Sequence, residues 1–199
     1  QGKKTIGELC EITNNSIPSV TSLINELIEA GWILNFGIGE SKGGRRPVMY
    51  GLNPDAGYIL GIELGRKKAR MCIFNLYNKK VGDVVEIQDG LDTNNEILNV
   101  LKVEVKKLLK ACRINNNQII GYGVTIPGLI DIKKGVSYSY PQFESHNLNK
   151  LFSKIFERPA FVEHDTKSMV LGESWFGQAK DMQNAIFLNI GNAIGSGII

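Results

Sequence analysis

The hydrophobic pattern of this chain changes period at Asn53-Pro54, and that change constrains the fold more than any other feature of the sequence. Before it, apolar residues recur at the three- and four-residue spacing of amphipathic helices. After it, short apolar runs alternate with turn residues, as they do in β-structure. A chain of 199 residues is long enough for one domain and a smaller second one. We therefore expect two unequal domains, residues 1–53 and residues 54–199.

The first domain is predicted to contain two helices followed by a β-hairpin. Thr5 and Glu8 have the spacing of a capping box for the first helix, and Ser16 begins a second helix that stops at Gly31. Two short strands then flank a glycine-rich turn at residues 37–44. This order is typical of a winged helix-turn-helix, in which the second helix reads DNA and the hairpin forms the wing.

The candidate DNA-binding residues are short polar side chains on the second helix and basic side chains at the wing. Hydroxyl and amide groups near the start of a recognition helix bond to base edges, whereas guanidinium groups bind phosphates or enter the minor groove. The candidates are Ser16, Ser19, Thr21, Ser22 and Asn25 on the helix and Lys42, Arg45 and Arg46 at the hairpin. Two alternatives stay open, a helix whose exterior is merely polar and a winged helix that contacts only proteins.

Charge alone does not indicate a partner. The formal net charge is only +3, and the first fifty residues carry five basic and five acidic side chains. DNA affinity would therefore depend on how these charges are segregated over the surface and on dimerisation.

The second domain begins with three predicted strands and a long amphipathic helix between Ile97 and Leu109. Alternating strands and helices follow. The predicted strands are 58–63, 70–76, 84–88, 119–125, 160–163 and 184–190, and the later helices are 147–156 and 166–177. This order is that of a ribonuclease-H-like lobe, the unit duplicated in actin and hexokinase. The final strand and the loop GNAIGSG repeat the opening pattern, so we expect an α/β chain in which a second lobe only begins.

Several short motifs, in their order, resemble the ROK family, whose name stands for repressors, open reading frames and kinases. They are GRRP followed by LNPDAGYILGIELG, then TIPGLID, then EHD with LGESWFG after it, and finally NIGNAIGSGI. The resemblance covers nearly the whole chain. It implies a regulator that joins a winged helix to a sugar-binding, kinase-like body, since the kinases of the family generally lack the DNA-binding module.

The resemblance also implies a sugar site. It assigns to that site Gly128 of the Pro127-Gly128 turn together with Glu163, His164 and Asp165. Asp165 matches the general base that takes a proton from the sugar hydroxyl in the family kinases. The family triplet E-N-D reads Glu-His-Asp here, so His164 replaces the asparagine that normally bonds a sugar hydroxyl.

The resemblance further identifies remnants of two phosphate-binding hairpins, one at Gly65 and one at Gly191, Gly195 and Gly197. The first hairpin reads D-x-G-G-T in family kinases, but residues 63–67 keep only one glycine. Backbone N–H groups approach phosphate closely only where side chains are absent, so we expect no competent ATP site. A tight β-turn is the alternative interpretation of the second hairpin.

No cofactor is expected in this chain, because the E-x-G-H sugar motif and the cysteine-rich zinc loop of the family would lie beyond Ile199. Three dispersed cysteines favour the reducing cytoplasm over a disulfide framework. No apolar run approaches the ~18 residues of a membrane span. The sequence thus predicts a cytoplasmic, sugar-responsive repressor, with operator DNA as partner, a sugar as effector, a homodimer as the assembly and no membrane contact.

Two other functions stay open from the sequence. One is a ROK-type sugar kinase that transfers phosphate from ATP to a hexose, with Asp165 as its base. The other is a winged-helix regulator whose body senses a metabolite other than a sugar.

Overall fold

A computed structural model describes residues 2–39, 46–93, 96–143, 146–190 and 194–199, which divide into two compact units. The first unit runs to Tyr58 and also contains Asn75–Lys79, the tip of a later hairpin. The second unit contains Ile59–Phe74 and Lys80–Ile199. Residues 54–58, which the sequence pattern assigns to the second domain, thus belong to the first unit.

The first unit has two helices followed by a pair of antiparallel strands, in the predicted order. Its elements are α1 (Ile6–Thr13), α2 (Ile17–Glu29), β1 (Ile33–Ile38) and β2 (Val48–Leu52). The predicted capping box is formed, since Thr5 Oγ1 accepts from the backbone N–H of Glu8 at 3.1 Å and the Glu8 carboxylate accepts from that of Thr5 at 2.8 Å. Ser16 caps α2 by accepting from the Ser19 N–H at 3.4 Å.

Strand β1 is longer than the sequence predicts. The glycine-rich pattern predicts a turn from Gly37 onward, but pairing with β2 continues to Ile38, with a shift of register between Asn35 and Ile38. Gly37 has φ +81°, and its N–H donates to Asn35 Oδ1 at 2.8 Å. Because glycine adopts this left-handed conformation without steric cost, it forms a bulge that lets the strand continue.

The buried stripe of α2 is narrower than its hydrophobic spacing predicts. Val20 and Ile24 are buried, whereas Ile17, Leu23 and Leu27 are exposed. Within the described part of the unit, α2 packs mainly against α1 and β1, which cover one side of the helix. Leu23 and Leu27 instead line an apolar groove of about 330 Å³.

The elements from Tyr58 onward are those of an α/β lobe. They are β3 (Tyr58–Leu64), β4 (Ala69–Asn75), β5 (Lys80–Ile87), α3 (Ile97–Ala111), β6 (Ile119–Ile126), β7 (Ile130–Asp131), β8 (Val136–Ser137), α4 (Leu148–Phe156), β9 (Ala160–His164), α5 (Asp165–Phe176), β10 (Ile186–Ile190) and β11 (Ile194–Ile198). Five of the strands form one sheet in the order β5-β4-β3-β6-β9. Within it, β4 and β5 are antiparallel and β6 and β9 are parallel. None of the described helices is both long enough and apolar enough to cross a membrane.

The last hairpin differs from the expected glycine loop. Ile194–Ile198 form a strand antiparallel to β10, so Gly195 and Gly197 lie in β11, and Gly191 lies outside the described residues. A Cβ at Gly195 would lie 2.5 Å from Thr166 Oγ1, and one at Gly197 would lie 2.8 Å from Val170 Cγ1. The missing side chains therefore let β11 pack closely against α5.

The core of the second unit is formed by alternate residues of the sheet, α3 and an aromatic cluster. Helix α3 buries Ile97, Leu101 and Val105 on the predicted stripe. In the aromatic cluster, the rings of Tyr122 and Phe156 stack at 4.4 Å, and Phe152 lies 5.9 Å from Phe156 and 6.0 Å from Phe143. A large side chain at the centre of such a cluster cannot be removed without leaving a cavity.

We predict that Phe152→Ala lowers the free energy of unfolding by about 3–5 kcal/mol, because Phe152 is 0% exposed and its removal leaves a cavity. The matched control is Phe161→Ala, at a residue that is 68% exposed, which we expect to change stability by less than about 0.5 kcal/mol. Urea denaturation of both variants measures the difference. Equal losses of stability would contradict the assigned core.

Candidate functional site

The exposed face of α2 carries three of the predicted DNA-binding residues. Ser19, Ser22 and Asn25 are spaced by three residues, which places them on one side of the helix, and all three are exposed. The Ser22 hydroxyl donates to Glu26 Oε1 at 3.3 Å. This face therefore presents hydroxyl and amide groups to solvent.

The other two predicted residues of α2 bond within the helix itself. The Thr21 hydroxyl donates to the backbone carbonyl of Ile17 at 2.8 Å, and Thr21 is only half-exposed. Ser16 is the N-cap, and its Oγ lies 2.9 Å from Ser19 Oγ. Both side chains thus stabilise the first turn of α2.

The predicted wing is described only at its base. Arg46 is exposed just before Pro47, whose carbonyl accepts from the Gly39 N–H at 2.9 Å. Lys42 and Arg45 lie outside the described residues. A further link ties this hairpin to the start of the chain, because Lys4 and Tyr50 exchange two backbone hydrogen bonds of 2.8 Å.

The predicted sugar-site residues lie at one edge of the large sheet. Strands β6 and β9 are parallel, with Ile126 opposite His164. The carboxyl ends of parallel neighbours meet at the same edge, which is where open α/β sheets bind ligands. Gly128, which follows β6, and Asp165, which follows β9, are therefore brought to one place.

The Asp165 carboxylate is held at the start of α5 by its nearest neighbours. Its Oδ1 accepts from the Thr166 N–H at 2.6 Å and from the Thr166 hydroxyl at 3.1 Å, and it lies 3.2 Å from His164 Nδ1. Its Oδ2 has no hydrogen-bond partner among the residues that the structure describes. Asp165 thus has one fixed oxygen and one oxygen available to a ligand, at a helix N-terminus that favours negative charge.

Glu163 is less available to a ligand than the sequence suggests. Its Oε1 accepts from the His164 N–H at 2.9 Å, and its Oε2 accepts from Lys167 Nζ at 2.9 Å. Both oxygens therefore hold the junction between β9 and α5. His164 and Asp165 remain as the side chains of the triplet with polar atoms to offer a ligand.

The Pro127-Gly128 turn is tied to the segment that follows β8. Ser139 Oγ accepts from the Leu129 N–H at 2.8 Å, and the Leu129 carbonyl accepts from the Tyr138 N–H at 2.9 Å. Gly128 has φ +94°, and a Cβ there would lie 2.6 Å from Ser139 Oγ. Glycine is therefore required both by conformation and by space.

The turn predicted as the first phosphate hairpin is bonded to a later segment of the chain. The Gly65 and Arg66 carbonyls accept from the N–H groups of Leu91 and Asp92 at 3.0 and 2.8 Å. Glu63 Oε1 accepts from Arg70 Nη2 at 3.2 Å. Within the described part of the chain, no three His, Cys, Asp or Glu side chains come together as a metal site requires.

A cavity of about 610 Å³ beside this hairpin contains residues that the sequence did not single out. Its lining is Leu91, Asp92, Ser139, Tyr140, Pro141 and Gln142. Two distant segments meet here, and Gln142 Nε2 joins them by donating to the Leu91 carbonyl at 3.0 Å. The run SYSYP at residues 137–141 is the sequence signal for this lining, since tyrosine and serine hydroxyls suit a polar ligand.

Comparison with known proteins separates the same two parts of the chain, because the family model begins where the second unit begins. A model of the ROK family matches residues 59–199. The chain is 30% identical over 183 residues to the xylose repressor of Caldicellulosiruptor bescii, covering 91% of this chain and 46% of the repressor. It is 26% identical over 194 residues to the DNA-binding transcriptional dual regulator NagC of Escherichia coli, covering 96% of this chain and 48% of that protein.

Solved structures define the class of fold as an α/β body of ROK type. A ROK family transcriptional regulator, described as a homologue of the E. coli MLC protein, superposes with a TM-score of 0.72 at 23% identity, over 98% of this chain and 50% of that one. A ROK hexokinase from Thermus thermophilus superposes with a TM-score of 0.60 at 19% identity, over 71% of this chain and 46% of that one. The chain belongs to the ROK family, and it spans about half the length of the curated relatives it matches.

We predict that Gly128→Ala lowers the free energy of unfolding by about 1–3 kcal/mol, because alanine at φ +94° is strained and its Cβ collides with Ser139 Oγ. Gly123→Ala is the matched control, since a Cβ at Gly123 meets nothing within 4 Å. Chemical denaturation of the two variants measures the cost. A Gly128→Ala variant as stable as the control would show that the turn has another conformation.

Proposed function

We propose that this chain is part of a sugar-responsive transcriptional repressor that binds operator DNA through its first unit and a sugar through its second. One observation carries the proposal. The ROK regulator structure superposes over 98% of the chain, whereas the ROK hexokinase superposes over 71%. The xylose repressor and NagC likewise match 91% and 96% of the chain, while the family model itself begins at residue 59. The first unit therefore accounts for the wider match to the regulators, which the hexokinase and the family model do not equal.

In this proposal the first unit is a winged helix, with α2 as the recognition helix and the β1–β2 hairpin as the wing. The exposed groups of Ser19, Ser22 and Asn25 suit base edges, because hydroxyl and amide groups both donate and accept. Arg46 at the base of the wing suits a phosphate. A homodimer would place two such units on half-sites about one helical turn of DNA apart.

Replacing both wing arginines, Arg45→Ala with Arg46→Ala, should weaken binding to all DNA sequences alike. The slope of log affinity against log salt should flatten by about 0.9 for each phosphate that the protein no longer neutralises. Asn25→Ala should instead change the preference between operator variants, by about 1–3 kcal/mol at the affected base pair. Fluorescence anisotropy with labelled operators over a range of salt concentrations measures both effects.

The control for charge removal is Arg113→Ala, at an exposed arginine of the second unit, which should leave affinity and salt slope unchanged. If the wing variant and this control behaved alike, the hairpin would not be a DNA contact. A winged helix that contacts only proteins would then be the better interpretation.

The second unit is proposed to sense a sugar without transferring phosphate to it. His164 and Asp165 offer a ring nitrogen and a carboxylate oxygen at the sheet edge, which suit sugar hydroxyls. The kinase alternative needs a phosphate hairpin, but the Glu63 carboxylate pairs with Arg70, and the Gly65 N–H, the kind of group that binds phosphate, donates to the Lys68 carbonyl at 2.9 Å. The proposed function requires no cofactor held by these residues.

Hydrogen bonds within the first unit hold the segment Leu52–Pro54, after which the chain continues into the second unit. The Asn53 side chain and backbone N–H donate to the carbonyls of Gly31 and Trp32, each at 2.8 Å. Tyr77 and Leu76, in the hairpin tip that belongs to this unit, donate to the carbonyls of Leu52 and Pro54 at 2.9 and 3.0 Å. Since that tip connects β4 to β5, two stretches of the chain join the DNA-binding unit to the sheet, and a change in the sheet has a mechanical route to the DNA.

We expect a hexose, a pentose or an amino-hexose to change operator affinity of the full-length protein by about 5- to 150-fold, the usual range of allosteric coupling. By linkage, DNA should change sugar affinity by the same factor. His164→Ala should abolish the sugar effect while sugar-free operator binding stays intact, because His164 lies in the second unit. Operator titrations with and without each sugar measure both.

Two outcomes would contradict this proposal in different ways. Steady ATP turnover that depends on a sugar and is abolished by Asp165→Asn would make the protein a kinase. If none of the sugars changed either the operator titrations or the thermal stability, the body would sense another metabolite. Either result is distinguishable from loss of DNA binding, which the wing variants report separately.

A further inference from the structure

The hydroxyl of Tyr140 is buried without a hydrogen bond. Tyr140 is 5% exposed, and its Oη has no partner among the residues that the structure describes. Buried polar atoms almost always form a hydrogen bond. Burial removes their hydrogen bonds to water, so a buried polar atom without a protein partner costs free energy. A phenylalanine would fill the same space without that loss. The hydroxyl therefore needs an explanation outside the fold itself.

The ring of Tyr140 is fixed beside the turn of the candidate sugar site. Its Cε2 lies 3.4 Å from the position that a Cβ of Gly128 would occupy, and its other contacts include an edge-to-face pair with Phe143 at 6.3 Å. The preceding residue, Ser139, accepts the hydrogen bond from Leu129 that ties this segment to the turn. The ring is thus held by packing, and the hydroxyl takes no part in holding it.

Three charged side chains act on the Tyr140 phenol. Burial raises the pKa of Tyr140, Arg66 opposes the rise, and Asp92 and Asp165 add to it. Arg66 is itself paired with Asp92, Nη1 to Oδ2, at 3.8 Å. The phenol therefore keeps its proton at neutral pH and is a hydrogen-bond donor, in surroundings with one positive and two negative groups.

We propose that Tyr140 is a ligand-binding residue whose hydroxyl donates to a ring hydroxyl of an unphosphorylated monosaccharide, bound beside the Gly128 turn in the cavity that Tyr140 lines. Tyr140 lines the cavity of about 610 Å³ beside Asp92 and Ser139, which offer a carboxylate and a further hydroxyl to the same ligand. A phosphorylated sugar carries about −1.5 to −2 charges and would meet an excess of carboxylates, so these residues select the neutral sugar. This inference rests on the sugar-sensing function proposed above.

The experiment compares Tyr140→Phe with the matched control Tyr138→Phe, at a tyrosine that is 60% exposed. Isothermal titration of the full-length protein uses xylose, glucose and N-acetylglucosamine, and the phosphate ester of each. Tyr140→Phe should weaken binding of the neutral sugar about tenfold, since it leaves one sugar hydroxyl without its donor. Tyr138→Phe should bind as the wild type does, and the wild type should bind the neutral sugar at least about tenfold more tightly than its phosphate ester.

The thermal stability of the ligand-free protein separates a ligand contact from a structural role. Tyr140→Phe removes a hydroxyl that bonds to none of the described residues, so its Tm should equal or exceed that of the wild type. A lower Tm with unchanged sugar affinity would show that the hydroxyl serves the fold, and tighter binding of the phosphate ester would contradict the selection of neutral sugars. If the wild type bound no sugar at all, the sensing function would fail first, whereas sugar binding that Tyr140→Phe leaves unchanged would overturn this inference alone.

Discussion

The parallel pairing of β6 with β9 is the interaction on which the candidate site depends. Because the two strands run side by side in the same direction, the turn at Gly128 and the helix start at Asp165 reach the same sheet edge. The polar groups at that edge are then fixed locally, by Ser139 on one side and by Thr166 and His164 on the other. A long stretch of chain separates the two segments, and the ladder between β6 and β9 brings them together.

The α/β body superposes on that of a ROK regulator and of a ROK hexokinase, so within this body the overall fold does not separate sensing from phosphate transfer, and particular groups must. In this chain the first hairpin keeps its backbone turn, since the Gly65 N–H donates to the Lys68 carbonyl at 2.9 Å. What has changed is the chemistry offered to a ligand. A bulky arginine replaces a small residue, and the neighbouring carboxylate of Glu63 is paired with Arg70. The regulator proposed above would not be impaired by these differences, because a ligand shifts an equilibrium through differential binding and needs no bond to be broken.

Glycines at three candidate site positions have two different structural roles in this fold. Gly195 and Gly197 stand where the resemblance implies a phosphate loop, yet they lie in β11, where the lack of a side chain lets the strand approach Thr166 and Val170. Gly128, by contrast, has both a left-handed backbone and a crowded neighbour. Sequence identifies all three as glycine positions, and only the local geometry distinguishes packing from turn formation.

The sequence by itself determined the local features, because they depend on neighbours in the chain. The capping box at Thr5 and Glu8, the stripe of α3 and the order of the longer strands and helices follow from spacing within a few residues, whereas β7, β8 and β11 were not predicted. The tertiary structure decided what depends on distant segments. It extended β1 past Gly37, left Leu23 and Leu27 exposed, and enclosed Tyr140 near Asp92 and Asp165. No pattern along the chain encodes these outcomes, since burial and charge at a residue are set by the segments that pack against it.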